Sequence, residues 1–519
     1  MIRDWIRSAE ARDGGAAYLE RGRGLATLSY AGLSRAARAW AHTLDQAGVP
    51  AGAGVAIRLA DPLDCATAMV AILAAGRVAV PLDPGAPAGR LARVLEVARP
   101  AAAVCDSPDE LPQDLAVLHP PGDRPPAVSP GPAGTGGIFL CTSGTTGTPK
   151  GILLTEDQLC HVAAVVAGHH RLTAADRGYC CLPLFHVNAE VVGLLATLST
   201  GACLVLDAAF SRRGFWDLID ERRVTWINAV PAIIAVLAMD PPVPVPRRVR
   251  FVRSASAPLP PSVLSRFTSA SGLPVLETYG MTEAASMITA NPLDGPRKPG
   301  SAGLPAGAEL RIARGGQERY VPCLPFEVGR VQIRGRGVIG RYAAGGPPGA
   351  IDREGWLDTG DLGHRDRDGY LFLAGRTDDV INRGGEKIYP REIEDFLLTQ
   401  PGVRDAAVVA APDPVLGARP VAYVAAADPG RADDITGALR AACDAALPRH
   451  TRPSSFCLVD ELPLGATGKI DRRRLAKLAA VPAPALPPWL ELALRGTAWQ
   501  ITVRPGSRAG SPAHQARHW

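Results

Sequence analysis

The sequence predicts an α/β protein: a large N-terminal domain of mixed and parallel sheets covered by helices, with a β-rich subdomain, followed by a small α+β C-terminal domain. Three observations carry this expectation. A chain of 519 residues exceeds one hydrophobic core, so two or three domains are expected. Short apolar runs alternate with helical patterns from about residue 28 to 104, and again to about 290, as in parallel sheets with covered faces. After Pro299 the texture changes to short β segments separated by Gly-rich turns, and beyond Arg376 a compact βα pattern runs to about residue 480. The expected domains are 1–375 and 376–480. Residues 481–519 are Pro-, Ala- and Arg-rich, without a sustained period, and read as a poorly ordered tail with a short helix around 489–494.

Each element has a local reason. Ser29 is placed to cap a helix over 30–47, on which Leu33, Ala37, Trp40 and Leu44 share one face. Residues 55–59 form a strand, 62–75 a buried helix and 77–82 a second strand. The stretch 106–136 is rich in Pro, Gly and Asp and reads as a surface connection. Strands are expected at 137–140 and 151–155, with a helix from Glu156. The β segments expected later are 309–312, 328–334 and 370–374.

Bulk properties exclude several classes. Apolar content is 47% and charged content 21%, ordinary for a soluble globular chain. The net charge of +5 is small for this length and gives no case for nucleic-acid binding. The first residues carry charges where a signal peptide needs an apolar run, and the longest apolar stretch, near 65–76, is too short to span a bilayer. Ten cysteines are scattered without a Cys-x-x-Cys pair, which fits a reducing cytoplasmic compartment. Lysine is scarce: only Lys150, Lys298, Lys387, Lys469 and Lys477 occur, so those that remain are candidates for sites where a compact cation is needed.

The most informative stretch runs from Thr142 to Gly151: Thr142, Ser143, Gly144, Thr145, Thr146, Gly147, Thr148, Pro149, Lys150, Gly151. Glycines let backbone N–H groups approach a ligand, hydroxyls donate, and the lysine adds charge, a lining suited to a polyphosphate. The loop joins two strands. That context, with Pro149 before Lys150 and glycine after it, separates it from a Walker loop. Read alone, the stretch is also a Ser/Thr/Gly turn. Two decoys are set aside: Gly335-Arg336-Gly337-Val338-Ile339-Gly340 opens no convincing helix, and His169-His170 lacks partners at metal spacing.

The ordered motif resembles the phosphate loop of the adenylate-forming superfamily, which includes acyl-CoA synthetases. The resemblance extends from about residue 20 to 475, with further motifs in the expected order. It implies a nucleotide site built from Thr142 to Gly147, Lys150, Ser256, Ala257, Tyr279, Gly280, Thr282, Asp361 and Arg376. In Tyr279-Gly280-Met281-Thr282-Glu283, Tyr279 would pack on adenine, Thr282 contact phosphate and Glu283 hold Mg²⁺. Without the resemblance this motif also reads as a capped helix start. Asp361 would accept both ribose hydroxyls from a turn; alone, Asp358-Thr359-Gly360-Asp361 reads as an Asx turn. Arg376 would contact the nucleotide, and Asp378 would be the hinge of a mobile C-terminal domain. Gly384-Gly385 would line the thiol tunnel after rotation, and reads equally as a hairpin turn. Lys469, in Thr467-Gly468-Lys469-Ile470-Asp471, would be the adenylation lysine.

The same resemblance implies an acyl pocket and tunnel formed by His186, Val187, Asn188, Val230, Ser254 and Met281, with Gly384 and Gly385; residues 229–231 and 254–258 would form further walls, whose serine hydroxyls could also bind a polar substrate. His186 stands where amino-acid-activating relatives usually place an aspartate, which argues against an α-amino acid. The run 253–303 looks most like small-dicarboxylate enzymes of the oxalyl-CoA synthetase type. Those commonly carry a histidine soon after the Thr-Glu pair, and Ala284-Ala285-Ser286 stands here instead, which argues against oxalate and admits an aryl or mid-sized acid. The implied reaction is ATP·Mg²⁺-dependent formation of an acyl-adenylate, then transfer to CoA. Alternatives are a carrier-protein thiol or amine as acceptor, a non-carboxylate oxyacid as substrate, and a nucleotide-binding scaffold without catalysis. No membrane or nucleic-acid partner is expected.

Overall fold

The Ser29 hydroxyl accepts a bond from Gly32 N at 3.1 Å, and the helix Tyr30–Gln46 follows from that cap. Leu33, Trp40 and Leu44 are buried on its inner face, at the helical spacing. The next helix, Pro62–Ala74, starts the same way: Asp61 accepts from the N–H groups of Leu63 and Asp64. From Ala68 onward it is apolar and buried, while Asp64 in its first turn is exposed. The computed structural model describes residues 1–108, 111–113, 115–120, 134–143, 149–239, 245–314, 321–427, 432–464 and 470–480. Within the phosphate loop, Gly144, Thr145, Thr146 and Gly147 lie outside these, as do Lys469 and residues 481–519.

A first compact unit spans Met1–Leu373, and a second begins at Ala374. The first holds a six-stranded sheet in the spatial order Ala116–Val117, Ala102–Cys105, Gly54–Arg58, Val78–Pro81, Gly137–Ser143, Pro149–Thr155. All neighbours are parallel except the last pair. That antiparallel pair sets Thr142 opposite Lys150 across the two ends of the phosphate loop. Thr155 and Gln158 then form a reciprocal capping box that starts the helix Glu156–His169.

A nine-stranded sheet has a parallel centre. Val275–Met281, Phe251–Ser254, Trp226–Ala229, Arg177–Cys180, Cys203–Leu206 and Ala17–Arg21 lie side by side in that order. In sheets of this kind ligands bind beyond the carboxyl ends of the strands. The β-rich subdomain is a separate five-stranded sheet that includes Glu309–Arg314, Gly329–Arg334 and Leu357–Arg365. Asp361, expected in a turn, lies inside the strand Leu357–Arg365. The register slips opposite Val331, and Gly360 takes φ +73°. The Asx turn read in Asp-Thr-Gly-Asp is present within the strand: Asp358 Oδ1 accepts from Gly360 N at 2.9 Å, and the sheet takes it up as a bulge.

Residues 188–195 depart from every helical pattern in the sequence. Asn188–Leu195 is a π-helix, fully buried, running into the helix Ala196–Thr200. Glu190 lies within it with both carboxylate oxygens buried and without a hydrogen-bond partner among the described residues. Burial pushes its pKa well above the ordinary value of 4.5, so the native state holds the proton that the unfolded chain releases. Native Glu190 thus binds more protons than unfolded Glu190, and stability falls as pH rises above 4.5. Glu190→Met is expected to raise stability by about 1–3 kcal/mol at pH 8, with the gain shrinking toward pH 4.5. Chemical denaturation at the two pH values checks this.

In the second unit Ile381–Arg383 and Glu386–Ile388 form a hairpin. Its two-residue turn is Gly384-Gly385, both with positive φ, as a tight antiparallel turn demands. The three-stranded sheet Val403–Asp413, Gly417–Ala426, Ser455–Val459 and the helix Pro390–Leu397 share an apolar core around Ile388, Ile393, Leu397, Val408 and Val424. Arg472 grips both oxygens of Glu394, at 2.6 and 2.7 Å. Among the described residues of the chain, no helix is long and apolar enough to cross a membrane.

Candidate active site

Gly280 shows why the Tyr-Gly-x-Thr-Glu segment tolerates only glycine at its second position. A Cβ there would lie 1.5 Å from the carbonyl oxygen of Ser286 on the adjacent strand. The register also slips between Tyr279 and Gly280, so the strand Val275–Met281 bends and a single 3-10 turn, Thr282–Ala284, follows. This bend presents Tyr279, Thr282 and Glu283 in close succession. Gly280→Ala forces its Cβ against a backbone carbonyl, which no rotamer relieves. We expect it to cost about 1–3 kcal/mol and to raise the KM for ATP, read by thermal melts and steady-state kinetics.

Two residues from distant motifs meet here. The Tyr279 hydroxyl donates to Asp361 Oδ2, across 82 residues of sequence. The candidate adenine platform is thereby fixed to the candidate ribose carboxylate. Asp361 is itself oriented from behind: its N–H donates to Thr359 Oγ1, and Thr359 in turn donates to Val331 O.

A second pair was not foreseen. Tyr342 OH donates to Glu283 Oε1 at 3.0 Å, while Lys150 Nζ stands 5.7 Å from the centre of the Tyr342 ring. The segment bearing Tyr342 is tied to the phosphate-loop hairpin, because Gly151 N donates to Ala344 O and Ala343 N to Gly151 O, each at 2.9 Å. Gly151 has no room for a side chain between Phe139, Val97 and Ala344. Tyr342 therefore links the loop lysine to Glu283. The carboxylate of Glu283 is buried with one oxygen held by Tyr342. Its other oxygen is a donor of the hard type that Mg²⁺ takes.

In the first unit, Val230, Ser254 and Met281 lie at or just past the carboxyl ends of parallel strands. Asn188 Nδ2 donates to Ser256 Oγ at 3.4 Å, joining the segment after His186 to the segment after Ser254. Ser256 is exposed and holds φ +74°, a strained position for a residue with a side chain. Ser254 is buried, and its carbonyl accepts from Thr278. Val187 packs on the main core and Met281 on the β-rich subdomain's core. Val230 is half-buried before the helix Pro231–Leu237. Ala257 is exposed beside Ser256. Two residues that the sequence did not single out, Asn228 and Arg253, lie fully buried behind Asn188.

The second unit carries its own candidates. Arg376 is exposed, Asp378 is exposed in the 3-10 turn Thr377–Asp379, and Gly384 N donates to Leu416 O. His169 and His170 form no metal group among the described residues; His170 is buried between Trp226 and Phe251.

Comparison with known proteins gives a consistent picture. The chain matches the model of the AMP-binding enzyme family over residues 7–343 and that of the AMP-binding enzyme C-terminal domain over 392–469. It is 43% identical to a sulfoacetate–CoA ligase of Cupriavidus necator over 355 residues, covering 68% of each chain. It is 34% identical to an oxalate–CoA ligase of Arabidopsis thaliana over 475 residues, covering 85% of this chain and 91% of the relative. Among solved structures, the O-succinylbenzoate coenzyme A synthetase of Bacillus subtilis in complex with ATP and magnesium superposes with a TM-score of 0.79. That match has 28% identity and covers 91% of this chain and 98% of the other.

Proposed function

We propose that this chain, which belongs to the AMP-binding enzyme family, activates a small acid bearing a second anionic group. The chain is an AMP-forming acid–CoA ligase that uses ATP, Mg²⁺ and CoA. A carboxylate attacks the α-phosphate of ATP, pyrophosphate leaves, and the CoA thiol then displaces AMP from the acyl-adenylate.

The observation that carries the site assignment is the Lys150–Tyr342–Glu283 contact chain beside the Tyr279–Asp361 bond. Tyr279 and Asp361 hold the nucleoside, and Thr142 with Lys150 faces its phosphates. Glu283, oriented by Tyr342, would hold Mg²⁺. When bound, the metal neutralises charge on the phosphate oxygens. Lys469 meets the charge that develops in the first step, and Gly384-Gly385 serves the thiol step. The protein's contribution is position and preorganised charge.

Four different acids are named by the relatives: sulfoacetate, oxalate and 2-succinylbenzoate, and indoleacetate, which has a single acidic group. The first three carry two acidic groups, and the acid of the 43% identical relative is among them, which supports that class here. The experiment is a screen of mono- and dianionic acids for pyrophosphate release, followed by thioester formation with CoA. The reading expects release with at least one dianionic acid and capture by CoA. Pyrophosphate release driven only by monoanionic acids would remove the substrate class.

A further inference from the structure

Arg253 is the least expected charge in the protein. It is the third residue of the strand Phe251–Ser254 and is 2% exposed. Across the sheet it pairs in register with Asn228, so the two side chains share one face. Burying a guanidinium is costly unless it is paired and fully hydrogen-bonded. Its hydrogen-bond partners among the described residues are two neutral amides: Nη1 donates to Asn188 Oδ1 at 2.7 Å and to Asn228 Oδ1 at 3.1 Å. Its Nε is buried with no hydrogen-bond partner among the described residues. Burial draws the group down to about 9, which leaves it charged at neutral pH.

The amides relay this charge in one direction. Asn188 Oδ1 is occupied by Arg253 and by Asn228 Nδ2, at 3.3 Å. The Asn188 NH₂ must therefore face the other way, where it meets the exposed Ser256 hydroxyl. The result is a forward-facing donor pair, Asn188 Nδ2 and Ser256 Oγ, backed by a buried positive charge one amide away. In an interior of low dielectric such a charge is felt strongly by a nearby anion. A neutral acyl chain gains nothing from it.

We infer that Arg253, acting through Asn188, is the positioning residue that selects acids with a second anionic group, carboxylate or sulfonate, at the Asn188–Ser256 end of the pocket. This inference rests on the acid–CoA ligase reading and adds to it the residues that set specificity.

The test uses the full chain and pairs that differ by one charge: malonate, succinate and glutarate, each against its monomethyl ester, with sulfoacetate against propionate. Pyrophosphate release gives kcat and KM for each. The wild type is expected to favour the dianion of at least one pair. In Asn188→Asp the carboxylate keeps the acceptor for Arg253 and Asn228, cancels the charge and loses the forward donor. The dianion-to-monoanion ratio of kcat/KM is expected to fall about 10- to 100-fold, mainly through KM. Arg253→Gln is expected to lower the ratio in the same sense. Should Arg253→Gln fail to fold, Asn188→Asp still decides, because it preserves the buried bonds. A wild type without charge preference, or an equal loss for both members of every pair, overturns the inference while leaving the ligase reading intact. No release with any acid in any form of the enzyme removes the ligase reading and, with it, this inference.

Discussion

Lys469→Ala is expected to reduce acid-dependent pyrophosphate release by about 100- to 1,000-fold, the effect of removing one preorganised charge from a transition state. The same variant should retain thioester formation from a chemically supplied acyl-adenylate. The reason is the order of charge development. In the first step negative charge builds on the α-phosphate as the carboxylate attacks, and a lysine ammonium offsets it. In the second step the thiol attacks the acyl carbon and new charge appears on the departing AMP oxygen rather than at an α-phosphorus under attack; the segment around Gly384-Gly385, not Lys469, is proposed to serve this step. Rapid-quench measurement of each half-reaction separates the two outcomes. Equal loss in both halves would assign Lys469 to general structure or to binding.

Glu283→Gln is expected to lower adenylation by a comparable factor, about 100-fold or more, and to raise the Mg²⁺ concentration needed for half-maximal rate. Glutamine preserves shape and can still accept from Tyr342, but it removes the charge that a hard cation requires. Tyr342→Phe leaves the carboxylate in place and removes its orientation, so its effect should be smaller and in the same direction. Mg²⁺ titrations of the two variants distinguish a ligand from a positioning group. An unchanged Mg²⁺ requirement in Glu283→Gln would move the metal to other residues.

The large features were legible because each had a local cause written in few residues. Ser29 caps its helix at the position its side chain predicts. The alternation of strand and helix gave parallel sheets, and Gly-rich punctuation gave the β-rich subdomain. The glycine in Tyr279-Gly280-Met281 was legible as a motif, but its cause, the Ser286 carbonyl, belongs to a neighbouring strand.

What escaped the sequence depends on long-range packing. Tyr342 lies 59 residues from Glu283, in a Gly- and Ala-rich stretch with no motif, and only the pairing of Gly151 with Ala344 brings it to the site. Arg253 and Asn228 sit in four-residue strands where the surrounding residues are apolar, and nothing marks their side chains as buried together. The π-helix at Asn188–Leu195 has no sequence period of its own. The neighbours of Asp361 are turn formers and keep their Asx bond, Gly360 N to Asp358 Oδ1, but that the turn would sit as a bulge inside a strand depends on the partner strand. Lys298 shows the limit of arguing from lysine scarcity. It bridges Asp366 and Asp368 at 2.5 Å each, which ties two loops together.

The most direct measurement is product stoichiometry by mass spectrometry with the dianionic acid that the screen identifies, ATP, Mg²⁺ and CoA. The account predicts equimolar AMP, pyrophosphate and acyl-CoA, all dependent on the acid. Formation of ADP and phosphate, or of AMP without any acid consumed, would contradict it.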